Sequence, residues 1–298
     1  MSIKFNSIGI IGTHCNPLVE QTVSELYDYL VSLNINILLE KETADSFTHH
    51  VQAKGYTLKE IATTAELAIV VGGDGNFLNA ARKLANLCEH HIPITGINRG
   101  KLGFLADINP DEIKTRLHAL LNGHYTTEKR FILKTDVIKS KKKTGSMTAV
   151  NDIVLSSGHS SRLFEFWVSI DNQYAFSQRS DGIIIATPTG STAHALSAGG
   201  SILYPSLDVI ELVPMFPHSL TSRPIVVSAE STIEITVAEY NDPKPLVSFD
   251  GHCHSDLNAT DQIIIRKDKT ELTILHPTDY SYYQTLRHKL HWSRLLFE

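Results

Sequence analysis

Cysteine is scarce in this chain. Cys15, Cys88 and Cys253 are the only three among 298 residues, and they lie far apart. That spacing excludes a disulfide framework and a CxxC metal site, and it fits a reducing, cytoplasmic setting. Long apolar runs are missing too. None approaches the roughly 20 residues of a membrane-spanning helix, and Met1 to Asn6 carry no signal-peptide core, so no membrane partner is expected. Positive charge is not in excess: 27 Lys and Arg against 32 Asp and Glu leave a formal net charge of −5. A general nucleic-acid binder needs a basic footprint, so none is expected here. A small anionic ligand needs only a locally positive site. There is no Walker A loop, which excludes a P-loop kinase, and there are no repeats or low-complexity linkers.

What is present suffices for sizeable cores: 42% hydrophobic and 20% charged residues in a length that suits two domains or one large one. Residues 1–127 alternate strand and helix. Ile8 to Gly12 reads as a strand. Asn16-Pro17 opens a helix whose stripe is Val19, Val23, Leu26, Leu30 and Leu33. Ile35 to Leu39, Leu67 to Val71 and Ile92 to Ile97 read as further strands. Helices are expected from about Gly75 to Cys88 and from Pro110 to about Asn122. This alternation predicts a doubly wound parallel sheet, whose ligands gather beyond the carboxyl ends of the strands. From residue 128 to 278 the period falls to 2, as in Phe164, Phe166, Val168, Ile170 and again in Ile233, Ile235, Val237. A β-rich, sandwich-like second domain follows. Asp171-Asn172 reads as a hairpin turn. Ile263 to Ile265 and Leu272 to Leu275 read as a final hairpin around Lys267-Asp268-Lys269. Lys139 and Lys141 to Lys143, beside Gly145, read as a solvated hairpin tip. Residues 279–298 have the spacing of an amphipathic helix.

Two stretches carry chemistry. Gly72-Gly73-Asp74-Gly75-Asn76 follows a buried strand and opens a helix. Glycines let a phosphate-bearing ligand approach the backbone, and the helix start attracts anions. An Asp in such a place binds a metal, takes a proton from an attacking hydroxyl, or merely caps a tight turn. The second stretch, Ser180 to His194, runs strand, hydroxyl-rich turn, helix. Thr187, Thr189, Ser191 and Thr192 surround Pro188 and Gly190. Hydroxyls and free N–H groups there suit a phosphate or ribose, though Ser and Thr also favour plain turns. The 15 histidines read as solvated surface, and His252 alone is kept as a candidate ligand contact.

Together these stretches resemble the NAD kinase family, with its G-G-D-G and D-G-x-x-x-x-T-P-T-G-S-T-A motifs. Asn98-Arg99-Gly100-Lys101-Leu102-Gly103-Phe104-Leu105, Asn151-Asp152, Leu196-Ser197-Ala198-Gly199-Gly200, the segment from Pro214 to Pro224, Phe249-Asp250-Gly251 and a proteobacterial-type tail from Leu286 to Trp292 extend the resemblance over nearly the whole chain. Four positions depart from the family pattern: Asp152 for Glu, His194 for Tyr, Ser201 for Pro and His252 for Gln.

The resemblance implies an α/β nucleotide-binding domain over residues 1–127, with the tail 279–298 packed back on it, and a β-sandwich dinucleotide-binding domain over 128–278. It implies transfer of a phosphoryl group from ATP to the 2′-hydroxyl of the adenosine ribose of NAD. The partners are then NAD and ATP, with Mg²⁺ or Mn²⁺ accompanying the nucleotide, and a homodimer or homotetramer is expected. Asp74 is the catalytic candidate. Gly72, Gly73 and Gly75 would cradle phosphates. Leu102 and Phe104 would pack near the adenine, core burial being the alternative for Phe104. Asn151 and Asp152 would hold a ribose or the adenine side. Asp181, Thr189, Thr192, Ala193, His194, Ala195, Leu196 and Ser197 would line the dinucleotide site. Arg162 and Arg179 are candidates for phosphate or nicotinamide contacts, and Arg at the latter position goes with preference for NAD over NADH. Two rivals remain: a lipid or sugar kinase sharing G-G-D-G, and a non-catalytic NAD(P)-binding sensor.

Overall fold

A computed structural model describes residues 3–12, 16–46, 54–87, 92–99, 103–158, 163–239 and 244–292. The chain forms two compact units: Met1–Lys129 with Leu272–Glu298, and Arg130–Glu271.

Along the chain the first unit begins β1 (Ser7–Ile11), α1 (Pro17–Ser32), β2 (Asn36–Glu40), α2 (Lys41–Ser46), β3 (Gly55–Tyr56), α3 (Leu58–Thr64), β4 (Leu67–Gly72), α4 (Asp74–Ala85) and β5 (Ile94–Asn98). Helix α1 starts where the sequence places it. The Asn16 side chain accepts from Leu18 N at 3.0 Å, and Pro17 sits at the first helical position, where no N–H is needed. Its stripe of Val19, Val23, Leu26 and Leu30 is buried against the sheet. Each leucine buried this way contributes about 1.5–3 kcal/mol. The helix expected from Pro110 is instead three short turns, a 3₁₀ turn Pro110–Glu112, a π turn Ile113–Leu117 and α5 (His118–Leu121). Glu112, whose carboxylate accepts from Asn109 N, ties the first turn to its own cap.

The second unit holds β6 (Tyr125–Lys139, entering from the first), β7 (Lys142–Ala149), β8 (Asp152–Ser156), β9 (Phe164–Ile170), β10 (Gln173–Ser180), β11 (Gly182–Ala186), the four-residue α6 (His194–Ser197), β12 (Val209–Met215), β13 (Ile225–Ser228), β14 (Ile233–Val237), β15 (Leu246–Phe249) and β16 (His252–Asp256). One sheet runs β13-β12-β11-β8-β15-β16, antiparallel throughout. Facing it are β9, β10, β14 and the hairpin β6-β7. Phe164, Phe166, Ile233 and Ile235 from one side meet Ile153, Leu155, Ile183 and Ile185 from the other in one core, which makes this unit a sandwich. Both faces of β11 are buried because Ala195 of α6 covers the outer one. The turns at Asp171-Asn172 and Ser140-Lys141 put both central residues at positive φ, as two-residue hairpins require.

The last strand, β17 (Gln262–Pro277), corrects the expected final hairpin: it is one uninterrupted strand. Lys267, Asp268 and Lys269 do not turn the chain. Lys267 pairs with Asp208 and Glu230, and Asp268 with Lys134, so their charges are met in place along an extended backbone. Residues 262–265 pair antiparallel with β14 in the second unit. In the first unit, Ile274 pairs in parallel with Ile94, giving the order β17-β5-β4-β1-β2-β3 with all pairs parallel. Finally, α7 (Tyr282–Leu290) belongs to the first unit.

A buried charge cluster ties β17 into that unit. His276 is 1% exposed. Its Nδ1 lies 2.8 Å from Asp107 Oδ2 and its Nε2 lies 3.1 Å from Glu128 Oε2. Its ring stacks on Tyr280 with centroids 4.0 Å apart. Two carboxylates facing two ring nitrogens require both nitrogens to donate, so the ring is an imidazolium. Burial opposes that charge most strongly, but the hydrogen bonds and charges of Asp107 and Glu128 outweigh it and move the pKa above the ordinary 6.5. A raised folded value means that the stabilisation is complete below about pH 6.5 and is lost as pH climbs through the folded value. His276→Gln should cost about 3–5 kcal/mol at pH 6 and flatten the decline of Tm above pH 6.5, followed by calorimetry. An undiminished decline would show that another group titrates.

Candidate functional site

Strand β4 is buried along its whole length and ends at Gly72, beside Asn98 at the end of β5. The carboxyl ends of two central parallel strands therefore bring the two glycine-bearing segments together. Gly73 caps α4 in an extended conformation with no side-chain hydrogen bond, and Asp74 is the first helical residue. Among the described residues, a Cβ placed on Gly73 or Gly75 would meet nothing within 4 Å. No described residue packs on the two glycines, and they leave that face of the helix start bare of described side chains. A bare helix N-terminus presents N–H groups and a partial positive charge.

The Asp74 carboxylate is heavily engaged. Oδ2 accepts from Phe104 N at 2.8 Å, and Oδ1 from Leu105 N at 3.1 Å and Ala106 N at 3.3 Å. Lys289 Nζ of α7 lies 2.8 Å from Oδ2. Gly103 must be glycine because a Cβ there would run into the Asp74 carboxylate. Phe104 is buried, its ring 5.9 Å from that of Tyr282 and 4.6 Å below Lys289 Nζ. In this conformation its ring packs against the tail helix. Leu102 lies outside the described residues.

In the second unit a carboxylate again gathers backbone amides. Asp250 accepts from Val150 N at 3.0 Å, Asn151 N at 2.7 Å and Asp152 N at 3.2 Å, and its own N–H donates to Asp152 O. Asp250 and Gly251 both have positive φ, forming the tight turn between β15 and β16. The Asp-Gly pair marks that turn in the sequence, but its clasp on residues 150–152 has no local signature. The hydroxyl-rich turn packs on the same segment. Thr187 donates to Val150 O at 2.7 Å and accepts from Gly190 N, and a Cβ on Gly190 would strike the Asn151 backbone.

The turn's hydroxyls are largely consumed by the fold. Ser191 Oγ donates to Pro188 O and accepts from Leu203 N. Thr189 Oγ1 accepts from Arg130. Thr192 donates weakly to Thr189 O at 3.4 Å. The helix that follows is a single turn, with Ala195 buried, Ala193 and Leu196 half-buried, and His194 and Ser197 exposed. What this segment leaves for a ligand is Asn151 Oδ1, buried and without a hydrogen-bond partner among the described residues, and the Asp152 carboxyl beside it. Burial first, and the charge of Asp250 second, lift Asp152 from the usual carboxylate range to about 7. His252, exposed, turns its Nδ1 to Asp250 O at 2.7 Å.

Asp181 and Arg179 stand apart from this cluster. Asp152 pairs with Ala186 at one end of β11, while Asp181 precedes Gly182 at the other. Four steps of about 3.3 Å separate the two ends, on the order of 13 Å. Arg179 is exposed and lines a cavity of about 480 Å³ with Gln178, His218 and Arg223. Arg162 lies outside the described residues. No group of three or more His, Cys, Asp or Glu side chains suited to a metal occurs among the described residues.

The first unit carries a glycine-flanked helix start on a parallel sheet without a Walker A loop, and the second unit is a sandwich; these are parts that a phosphotransferase of the non-P-loop kind combines. Family models for the ATP-NAD kinase N-terminal and C-terminal domains match residues 8–125 and 150–276. NAD kinases of Shewanella oneidensis and Chromohalobacter salexigens are similar at 45% and 42% identity, with 100% and 99% of both chains covered. The fold is shared with yeast NADH kinase solved with NADH, at TM-score 0.89 and 23% identity over 97% of this chain and 88% of that one. It is also shared with an Archaeoglobus fulgidus NAD kinase solved with ATP, at TM-score 0.73 and 23% identity over 96% of this chain and 98% of that one. The chain belongs to the ATP-NAD kinase family.

Asp152 has a stability consequence. Its folded pKa, about 7, lies above its ordinary value of 3.8, so the stability it contributes is complete below pH 3.8 and lost by about pH 7. Asp152→Asn, which never ionises, should therefore unfold at a higher temperature than the parent. The gain should widen between pH 4 and 7 and level off above. A gain of the same size at every pH would show that Asp152 does not titrate in this range.

Proposed function

We propose that the chain transfers the γ-phosphoryl group of ATP to the 2′-hydroxyl of the adenosine ribose of NAD, giving NADP and ADP. The observation that carries this reading is Asp74: a carboxylate at the first position of α4, on the carboxyl end of β4, flanked by glycines whose outer face is bare. A ribose hydroxyl is a weak nucleophile at neutral pH, and a positioned carboxylate that takes its proton removes much of that barrier. The first-turn N–H groups of α4 and its dipole receive the phosphates. Asn151 Oδ1 awaits a donor such as an adenine amino group or a ribose hydroxyl. Asp152, about half protonated at pH 7, can serve there as donor or acceptor.

A divalent cation would come in with the nucleotide rather than on a protein cage. Mg²⁺ or Mn²⁺ commonly keeps several waters and takes one or two carboxylates plus phosphate oxygens, which needs no ready-made protein cage. Bound that way through the phosphates and its waters, the cation would neutralise triphosphate charge without displacing the groups already bonded to Asp74. A homodimer or homotetramer in the cytoplasm completes this reading. Phe216, Leu220, Ile225 and Val226 expose apolar surface at and beside the edge strand β13, as an assembling unit would. No helix among the described residues is long and apolar enough to cross a membrane.

Asp74→Asn keeps the size and shape of the side chain and removes the proton acceptor. NADP formation with ATP and Mg²⁺ should fall by about 10²–10⁴-fold, while NAD still binds in a calorimeter. Retained turnover would remove Asp74 from the chemistry. For Arg179→Gly, the ratio of kcat/KM for NAD to that for NADH should change while KM for ATP holds. Equal loss on both dinucleotides would assign Arg179 to the fold instead.

A further inference from the structure

A carboxylate has about four lone-pair sites, two on each oxygen. At Asp74 all four are taken: Oδ1 by Leu105 N and Ala106 N, Oδ2 by Phe104 N and Lys289 Nζ. A ribose hydroxyl cannot donate to this carboxylate until one donor leaves. Three of the four are backbone amides on a segment pinned from several sides. Asn98 N donates to Ile108 O at 2.8 Å, Ile108 N donates to Gly96 O at 3.2 Å, and Asp107 is held by the buried His276. Ala106 presses on Gly96 so closely that a Cβ on Gly96 would lie 2.7 Å from Ala106 Cα. The fourth donor is different in kind. Lys289 sits in the last turn of the nine-residue α7, its side chain is 32% exposed, and its ammonium rides on a flexible four-carbon stem.

We propose that Lys289 holds, at Oδ2 of Asp74, the seat that the acceptor hydroxyl takes in the reactive complex, and that its displaced ammonium turns to the phosphoryl group in transfer. The proposal rests on the reading of Asp74 as the proton acceptor. In the step itself the 2′-oxygen bonds to the γ-phosphorus as the bond from that phosphorus to the β,γ-bridging oxygen breaks. The hydroxyl proton passes to Asp74, ADP leaves with the bridging oxygen, and Lys289 keeps its proton throughout. The ammonium has a destination: the bare face over Gly73 and Gly75 lies at the same helix start, and a lysine ammonium is a compact charge suited to phosphate oxygens. The C-terminal helix thereby becomes part of the phosphoryl-transfer site. Tyr282, seven residues before Lys289 and on the same helical face, seats the helix on Phe104.

The test uses the full-length chain as wild type, Lys289→Met and Asp74→Asn. NAD affinity is measured by calorimetry without ATP, and turnover with ATP and Mg²⁺. The vacated seat should let Lys289→Met bind NAD at least threefold more tightly, while loss of the charge lowers kcat at least tenfold. This opposite movement is what a helix anchor would not produce. Parallel weakening of NAD binding and kcat, or unchanged values of both, overturns the proposal. Lys289→Gln, which keeps a polar tail, is read in the same way where the Met variant does not fold. Full turnover by Asp74→Asn sinks the reading of Asp74 itself. An inactive Asp74→Asn beside a Lys289→Met like wild type sinks the lysine proposal alone.

Discussion

The first unit turns on one contact, the Asp74 carboxylate against the amides of residues 104–106. It fixes several choices in the sequence at once. Position 103 has room only for glycine. The segment after β5 folds back so that Ile108 lies along Ile97. Phe104, held by its own N–H, becomes the floor on which Tyr282 and Lys289 of α7 rest. A carboxylate bonded to backbone N–H groups is worth more than an ordinary neutral hydrogen bond, roughly twice as much each. Its removal would leave three amides seeking partners in a largely buried place, and the cost of such orphans exceeds the mean worth of the bonds.

The second unit uses the same physical device with a different partner. Asp250 gathers three consecutive amides, but from a hairpin turn rather than a helix start. The consequence falls on Asp152. Its backbone is drawn toward Asp250, and its side chain is left buried next to that negative charge, which is why it titrates near 7 rather than near 4. Asp74 and Asp250 thus both organise backbone, yet only Asp74 stands at a helix N-terminus with a bare glycine face. Its position, more than its hydrogen bonding, is what the proposed role of Asp74 rests on.

Local pattern told a great deal about this chain and nothing about its distant pairs. The Asn16-Pro17 start, the stripe from Val19 to Leu30 and the two-residue hairpin at Asp171-Asn172 follow from capping, periodicity and turn chemistry, all of which act within a few residues. The period-2 strands predicted a sandwich, and one core with residues from both sheets bears that out. The run at Lys267 was misleading because charged residues between apolar stretches mimic a turn, whereas ion pairs from Lys134, Asp208 and Glu230 keep the strand straight. The hydroxyls of the Thr187 turn suggested a ligand, but most of them satisfy the turn's own backbone. Lys289 and Asp74 are 215 residues apart, and His276 and Asp107 are 169 apart. No periodicity encodes such pairs.

Geometry also constrains what kind of ligand the second unit can serve. Two places on the second unit carry candidate ligand groups, Asn151 with Asp152 at one end of β11 and Arg179 with Asp181 near the other, separated by the length of the strand. An extended molecule with polar groups at both ends would meet both, and the buried apolar strand between them supplies no competing partners. Because β11 is paired on both sides along its length, its extended backbone holds the two ends apart. On the proposed function, the dinucleotide acceptor would be the molecule long enough to meet both.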